Sequence, residues 1–251
     1  MIASHSASAD PLFTLYKADA RGKAEHGWLS SRFSFSFADW YNPNLMGFGA
    51  LRVINDDVIA PQSGFGMHPH RNMEIITIVE KGAVSHKDSM GNTQTVPAGD
   101  IQVMSAGTGI VHSEYNHSSN EELKLFQIWI YPQVQNVVPR YAQKSLEIPE
   151  EDGLKLLVSS DGRENSLFIH QNAFLYRGFL SDGKTEMYAL KNPVQNGIYI
   201  FVVEGKISVE GNVLESRDAL GITETGTVHI FAQKNSQYLL FEVPMEEPSE
   251  V

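Results

Sequence analysis

The sequence contains no cysteine among its 251 residues. Disulfide bonds, iron–sulfur clusters and thiolate metal ligands are therefore excluded, because each of them requires cysteine sulfur. Basic residues are also scarce, since 19 Lys and Arg stand against 30 Asp and Glu and the net charge is −11. This charge balance argues against a nucleic-acid partner, because phosphate binding requires a basic patch.

Long apolar segments are missing as well. No apolar stretch approaches the roughly 20 residues that a membrane-spanning helix needs. The first residues, MIASHSASADPLF, lack the basic and apolar regions of a signal peptide. We therefore expect a cytoplasmic protein without a membrane partner. With 42% hydrophobic and 20% charged residues, the composition is that of a globular protein with ample material for a core.

Short strands dominate the sequence pattern. Runs of β-branched, aromatic or alternating residues predict strands at 51–54, 74–79, 101–104, 125–130, 199–203 and 238–243. Clusters of Gly, Asp and Asn separate these runs. No convincing helical period longer than three turns stands out. Several short strands with regular turns indicate an all-β barrel or sandwich.

A weak internal repeat predicts two copies of one unit. The string VEKG at 79–82 resembles VEG at 203–205, and GIVH at 109–112 resembles GTVH at 226–229. The segment between the two copies is rich in Pro and Gln, which is typical of a linker. We therefore predict an N-terminal domain at 1–132, a linker at 133–145 and a C-terminal domain at 146–251.

Two short strings carry potential metal ligands, His68-Pro69-His70 and His112-Ser113-Glu114. Side chains two residues apart on a strand point to the same face, so each string presents two ligand side chains together. Five of the nine histidines lie between positions 68 and 117, a clustering that chance seldom produces. Three imidazoles and a carboxylate suit a divalent first-row metal ion.

The second half lacks the equivalent set. Counted from the repeated glycine, the positions that correspond to the histidine pair are 191 and 193, which carry Lys and Pro. Phe231 stands two residues after His229, where the first half has its carboxylate. We therefore expect His229 to be structural and the metal site to lie in the first half. His86 and His117 are likewise expected to be structural or exposed.

Longer strings around these motifs resemble the pirin family. They are GFGALRVINDD at 47–57, GMHPHRNME at 66–74, PAGD at 97–100 and MSAGTGIVHSE at 104–114. The match covers residues 15–132 closely, and within the family the sequence is most similar to the bacterial pirin-like quercetin dioxygenases. The resemblance implies a bicupin, with two antiparallel β-barrel domains face to face. It also implies one metal ion in the N-terminal barrel, held by His68, His70, His112 and Glu114.

The resemblance also implies a reaction. It is the cleavage of the heterocyclic ring of flavonols such as quercetin by O2, with release of carbon monoxide, and Glu114 is the expected base. Fe(II) is the expected metal, with Mn, Co, Ni, Cu or Zn as alternatives. The alternative function is a non-enzymatic metal- or redox-responsive regulator that binds another protein, as eukaryotic pirins do. An enzyme should have an open pocket, whereas a binding protein should present an exposed apolar patch.

Two further assignments stay open in the sequence. Glu74 is the carboxylate ligand that the wider cupin pattern would choose, but we expect it to orient an imidazole instead. Phe33, Phe35 and Phe37 alternate along one strand and are followed by further aromatic residues. They suit the wall of a pocket for a flat aromatic substrate. For any one of these phenylalanines considered alone, however, we favour a position in the barrel core.

Overall fold

Strands make up almost all of the regular structure in this computed structural model, which describes residues 10–146 and 151–246. The first twelve are β1 (Leu12–Tyr16), β2 (Gly22–Glu25), β3 (Leu29–Phe33), β4 (Leu51–Ile59), β5 (Gly64–His70), β6 (Glu74–Lys81), β7 (Ala83–Asp88), β8 (Thr93–Pro97), β9 (Asp100–Ser105), β10 (Ile110–Asn116), β11 (Leu123–Ile130) and β12 (Arg140–Ser145). The next ten are β13 (Gly153–Ser159), β14 (Leu167–Phe168), β15 (Phe174–Leu180), β16 (Thr185–Ala189), β17 (Asn196–Glu204), β18 (Lys206–Val209), β19 (Asn212–Glu215), β20 (Ala219–Thr223), β21 (Thr227–Ala232) and β22 (Ser236–Pro244). Two short 3-10 helices lie at Ala18–Ala20 and Arg163–Asn165. The all-β prediction is confirmed.

Each half of the chain is built from one large and one small sheet. In the first half the large sheet has the order β12-β9-β6-β11-β4-β3-β2, and the small sheet has the order β5-β10-β7-β8. In the second half the orders are β1-β20-β17-β22-β15-β13-β14 and β16-β21-β18-β19. Each half is therefore a two-sheet jelly roll rather than a closed ring of strands. Among the described residues no helix is long and apolar enough to cross a membrane.

The internal repeat corresponds to matching strand orders. The order β9-β6-β11-β4 recurs as β20-β17-β22-β15, and the whole small sheet recurs in the same order. The repeated glycines, Gly82 and Gly205, follow β6 and β17 with φ values of +79° and +101°. Glycine adopts this left-handed conformation without a steric penalty, which explains why both copies of the turn carry it. The prediction of two copies of one unit is confirmed.

The two large sheets pack against each other and form the principal core. Its buried side chains come from both halves and include Ile76, Phe126, Phe201 and Phe241. Strands of these sheets are buried on both faces, because the other face is covered by the small sheet of the same half. Such strands read as nearly continuous apolar runs. This explains why all six strands predicted from the sequence lie in the large sheets.

Two strands depart from the predicted domain division. β1 pairs with β20 of the second half, although its residues were assigned to the N-terminal domain. Residues 140–145, predicted as linker, form β12 and pair with β9 of the first half. Both strands lie at sheet edges and are largely exposed or half-buried, so they carry no clear apolar pattern. We keep the two-domain division with boundaries at 132 and 146 as a proposal. By their pairing, β1 belongs with the second domain and β12 with the first.

The interiors of the two jelly rolls differ in character. In the second half one apolar cluster, which includes Ile198, Ile200 and Leu240, fills the space between the sheets. The first half contains two smaller apolar clusters, one that includes Leu123 and another that includes Met104. The first interior therefore has room for polar side chains, and the potential metal ligands lie there.

Candidate metal centre

The two strands that carry the histidine motifs, β5 and β10, are neighbours in the small sheet of the first half. They pair antiparallel, which places His112 directly opposite His68. The ring centroids of His68, His70 and His112 lie 4.4, 4.8 and 4.9 Å apart. Their potential ligand nitrogens all lie within 4.8 Å of one another. The structure brings the three predicted histidines together in a group that could hold a metal ion.

Glu114 belongs to a second group that shares His112 with the first. The register of β10 against β5 shifts between His112 and Glu114, and Glu114 lies opposite His86 of β7 on its other side. His86, His112 and Glu114 each offer a ligand atom within 4.8 Å of the others. The four predicted ligands therefore occur in two overlapping groups, and the buried His112 is common to both.

The protonation of the histidines suits metal binding. Burial, together with the neighbouring His68 and His86, lowers the pKa of His112 to about 3. Burial also lowers the pKa of His70 to about 4, with additional contributions from His112 and His68. Both imidazoles are therefore neutral at neutral pH and retain a lone pair for a metal ion.

Two hydrogen-bonding details test whether a metal ion fits this site. The Nδ1–H of His68 donates to the carbonyl oxygen of Gly66 at 2.7 Å, which leaves Nε2 of His68 as the ligand atom. Both ring nitrogens of His112 are buried without a hydrogen-bond partner among the described residues. An unpaired buried imidazole is costly unless a ligand satisfies it. The donor set therefore fits a divalent metal ion.

The carboxylate of Glu114 is held by three side chains that cross the interior from the large sheet. The amide of Gln102 donates to Oε1 at 2.6 Å, and the amide of Gln127 donates to Oε2 at 2.7 Å. The hydroxyl of Thr77 donates to Oε1 at 3.3 Å. These contacts fix the orientation of the carboxylate, as outer partners of metal ligands commonly do.

Sequence reasoning did not identify these three partners of Glu114. They lie on β6, β9 and β11, which are neighbours only in the folded sheet. The sequence did contain a weak indication of them. Thr77, Gln102 and Gln127 are buried or half-buried polar residues that interrupt apolar stretches of strands otherwise typical of a core. A buried polar side chain in such a strand needs a partner, so it points to a polar site.

His86 and His117 have different environments. His86 is buried, donates its Nε2–H to the Asp88 carboxylate at 3.2 Å, and stacks on the ring of Tyr141 at 4.7 Å. His117 is exposed and contacts the hydroxyl of Ser85 at 2.8 Å. His86 therefore has a structural contact, as expected, but it also lies in the second group of potential ligands.

The histidine of the second half, His229, faces away from the interior. On β21 Val228 and Ile230 are buried, whereas His229 is exposed and contacts Glu210 at 3.0 Å. Met187, which lies opposite His229 in the register, is exposed as well, and positions 191 and 193 lie beyond the end of β16. His112 faces the interior from β10, whereas His229 faces outward from β21. A shift of one residue along a strand moves a side chain to the other face, so the sequence repeat does not recreate the metal site.

A cavity of about 250 Å³ adjoins the histidines. Its lining includes His68, His70 and Glu114. Aromatic rings of Phe37, Phe65 and Trp129 form part of its wall, and Trp129 packs edge-on to His70 with 4.9 Å between the centroids. A concave site with mostly apolar walls and a few polar groups is the usual form of a small-molecule site.

The predicted row of phenylalanines divides between this cavity and the core. Phe37 lines the cavity, and Phe33 packs on Phe37 with their centroids 5.3 Å apart. Phe35 lies in the core between the halves, 5.5 Å from the ring of Tyr199. Phe37 therefore lies in the pocket wall. Phe35 lies in the core, which is the position we favoured for any one of these residues.

Glu74 does not face the metal cluster. The chain leaves the small sheet after His70, and Glu74 begins β6 in the large sheet. Its carboxylate accepts a hydrogen bond from Ser105 at 2.7 Å and contacts His170 of the second half at 3.1 Å. Glu74 does contact an imidazole, but that imidazole is His170 rather than a predicted ligand. Even spacing from His70 was misleading because residues 71–73 interrupt the strand.

Replacing Glu74 by glutamine should leave the metal content unchanged at one ion per chain. The substitution alters the contact with His170 between the halves, so the free energy of unfolding should fall by about 1–2 kcal/mol. Metal analysis and denaturant unfolding measure the two effects separately. Loss of the metal from Glu74→Gln would show that the general cupin ligand pattern applies to this chain.

Asp57 is a second buried carboxyl group in the cavity wall. Burial raises its pKa from 3.8 to about 7, the hydroxyl of Ser31 opposes the shift, and Asp56 and Glu114 add to it. The folded protein therefore binds this proton more tightly than the unfolded chain does. Stability from this group is present at low pH and is lost as the pH rises towards 7.

The Asp57→Asn variant should consequently gain stability relative to the wild type as the pH rises. In metal-free protein we expect the difference in unfolding free energy to grow between about pH 4 and pH 7 by up to about 4 kcal/mol, and then to level off. Urea unfolding of both proteins across this range measures it. A difference that stays constant with pH would contradict the raised pKa.

Comparison with known proteins identifies the family. A family model described as Pirin matches residues 15–130, and one described as Quercetinase C-terminal cupin domain matches residues 156–243. The quercetin 2,3-dioxygenase of Escherichia coli K12 is 47% identical over 230 residues, which are 92% of this chain and 98% of that protein. The chain belongs to the pirin family.

Solved structures of pirins agree with this chain in fold. The crystal structure of YhhW from Escherichia coli has a TM-score of 0.90 and 46% identity, and covers 95% of this chain and 100% of YhhW. The complex of that bacterial pirin with nickel(II) has a TM-score of 0.88 and 46% identity, with coverages of 93% and 99%. The putative quercetin 2,3-dioxygenase PA1210 of Pseudomonas aeruginosa is 45% identical over 90% of this chain and 97% of its own. The expectation of an all-β pirin with two cupin domains is confirmed.

Proposed function

We propose that this pirin is a metal-dependent dioxygenase that cleaves the heterocyclic ring of flavonols such as quercetin with O2 and releases carbon monoxide. The observation that carries the proposal is the cluster of three histidines beside a cavity with aromatic walls. The cavity is the feature expected of an enzyme. The names of the relatives, quercetin 2,3-dioxygenase in Escherichia coli and its putative counterpart in Pseudomonas aeruginosa, support the choice of substrate.

We assign one divalent metal ion to His68, His70, His112 and Glu114. The nitrogen and oxygen donors suit a first-row ion, and four protein ligands leave positions for substrate and O2 on an ion that prefers six. Fe(II) is our choice, although the related bacterial pirin was crystallised with nickel(II). When bound, such an ion would lower the pKa of a flavonol hydroxyl and promote its oxidation by O2.

The protein side chains would bind and orient the flavonol. Phe37, Phe65 and Trp129 offer aromatic surfaces against which flat rings pack favourably. The carboxylate of Glu114 lies in the wall of the same cavity and is our candidate for the base that accepts the 3-hydroxyl proton. Gln102 and Gln127 hold this carboxylate in place, so it needs no reorganisation when the substrate binds.

Anaerobic reconstitution tests the proposal. Protein stripped of metal is loaded with one equivalent of Fe, Mn, Co, Ni or Cu, and quercetin and O2 are then supplied. We expect at least one metal to restore the loss of quercetin with uptake of one O2 per quercetin. The metal-free protein is the control. If no metal ion supports quercetin loss, the proposed activity is wrong.

A further inference from the structure

Asn55 and Asp57 place two polar groups in the wall of the metal cavity that the proposed metal chemistry does not use. They lie two residues apart on β4, so both point into the first jelly roll. The residues between and before them point the opposite way: Ile54 lies in the core between the halves, and Asp56 pairs with Arg217 at 2.8 Å. Both Asn55 and Asp57 are buried, at 3% and 4% exposure.

The two groups have unused hydrogen-bonding capacity. The hydroxyl of Ser31 donates to Oδ1 of Asp57, and no described side chain donates to its Oδ2. Oδ1 of Asn55 is buried without a partner in the described part of the chain. The contrast with Glu114 is clear, because amide groups donate to both of its oxygens. Buried acceptors without donors are unusual, and in a cavity wall they are complementary to a ligand that donates hydrogen bonds.

The surroundings define the chemistry of that ligand. The same cavity has aromatic walls formed by Phe37, Phe65 and Trp129, which favour a flat ring system. Its acceptors favour hydroxyl groups on that ring system over ether or unsubstituted positions, since a buried acceptor that faces a C–H group stays unpaired. A polyhydroxylated aromatic compound satisfies both requirements.

We propose that Asp57, with Asn55 beside it, determines specificity by accepting a hydrogen bond from a hydroxyl group that the aromatic substrate carries besides the oxygens at the metal. The inference rests on the proposed flavonol substrate. It narrows the preferred substrates from flavonols in general to polyhydroxylated flavonols. Ser31 acts as a positioning residue, because its hydroxyl fixes Oδ1 of Asp57 and leaves Oδ2 for the substrate.

Two commercially available flavonols separate this contact from metal binding. Quercetin and 3-hydroxyflavone share the 3-hydroxyl and 4-keto oxygens, but 3-hydroxyflavone has no other hydroxyl group. Dissociation constants are measured without O2 on nickel-loaded protein by quenching of tryptophan fluorescence, since Trp129 lies in the cavity wall. The wild type should bind quercetin more tightly. Asp57→Ala should weaken quercetin binding by about 10- to 100-fold, because a substrate hydroxyl would then be buried without its acceptor, and change 3-hydroxyflavone binding little.

Two matched variants control for damage to the fold. Asp57→Asn keeps the size and one acceptor oxygen, so it should retain most of the preference for quercetin. Asp56→Asn makes the same chemical change one residue earlier, on the opposite face of β4, and should leave the preference unchanged. Metal content and melting temperature are recorded for every variant.

The outcomes distinguish this inference from the proposed function. An equal loss of affinity for both flavonols in Asp57→Ala, or no preference in the wild type, would overturn the role of Asp57. Quercetin turnover that is independent of Asp57 would also overturn it and leave the proposed function intact. Selective binding of quercetin without turnover would support the contact with Asp57 and contradict the dioxygenase activity. If the wild type bound neither flavonol, both proposals would be wrong.

Discussion

Replacing His112 by alanine is expected to abolish metal binding. His112 is common to both groups of potential ligands, so its loss leaves His68 and His70 in one group and His86 and Glu114 in the other. Neither group then retains three donors. Removal of an outer partner of a ligand costs about 10- to 100-fold in metal affinity, and removal of a ligand should cost more than that. The metal content measured after dialysis should fall from one ion per chain to nearly none.

The matched control is His229→Ala in the second half. His229 is exposed on β21 and contacts Glu210 at the surface, whereas the interior of that half is filled by apolar side chains. This variant should retain one metal ion per chain. Equal loss of metal from both variants would reveal a site in the second half, and full retention by His112→Ala would remove His112 from the ligand set.

Replacing Glu114 by glutamine is expected to reduce turnover much more than metal affinity. Glutamine keeps the size and one oxygen that can bind the metal, but it removes the charge and the proton acceptor. Its NH2 group would face a donor amide of Gln102 or Gln127, so one of these hydrogen bonds is lost. Loss of a general base lowers the rate by about 10²- to 10⁴-fold. Turnover is therefore compared at full metal occupancy, which separates the base from the ligand role.

The pH dependence separates the base from the hydrogen-bond network. The deficit of Glu114→Gln should shrink at higher pH, where the flavonol hydroxyl ionises without help from the protein. Gln102→Ala removes a donor to Glu114 but keeps the carboxylate, so its smaller deficit should not depend on pH in this way. A fully metallated Glu114→Gln variant with the wild-type rate would show that Glu114 is not the base.

The part of the fold that was predictable from the sequence is the part that is buried on both faces. The strand predicted at 74–79 lies in β6, where every residue from Glu74 to Val79 is buried. The small sheets have one exposed face and shorter apolar patterns, and β5 became visible only through its histidine motif. β12 was mistaken for linker because it is an edge strand with half-buried polar residues. Edge pairing depends on the assembled sheet and leaves little trace in local sequence.

The candidate site was predictable to the extent that its residues are close in sequence. His68 and His70 are on one strand, and His112 and Glu114 are on the next strand in the sheet, so side-chain alternation was sufficient to propose them. Asp57 was not predicted, because it reaches the cavity from β4 of the facing sheet. Glu74 was expected to orient a ligand, but the turn at 71–73 carries the chain into the other sheet.

The most direct test of the central claim is the fate of labelled dioxygen in the reaction of the metal-loaded wild type with quercetin. If the cluster of His68, His70 and His112 supports a dioxygenase, both atoms of ¹⁸O2 should appear in the organic product. One molecule of carbon monoxide should be released for each quercetin consumed. The metal-free protein should produce neither. Oxidation of quercetin without carbon monoxide, or with oxygen taken from water, would contradict the account.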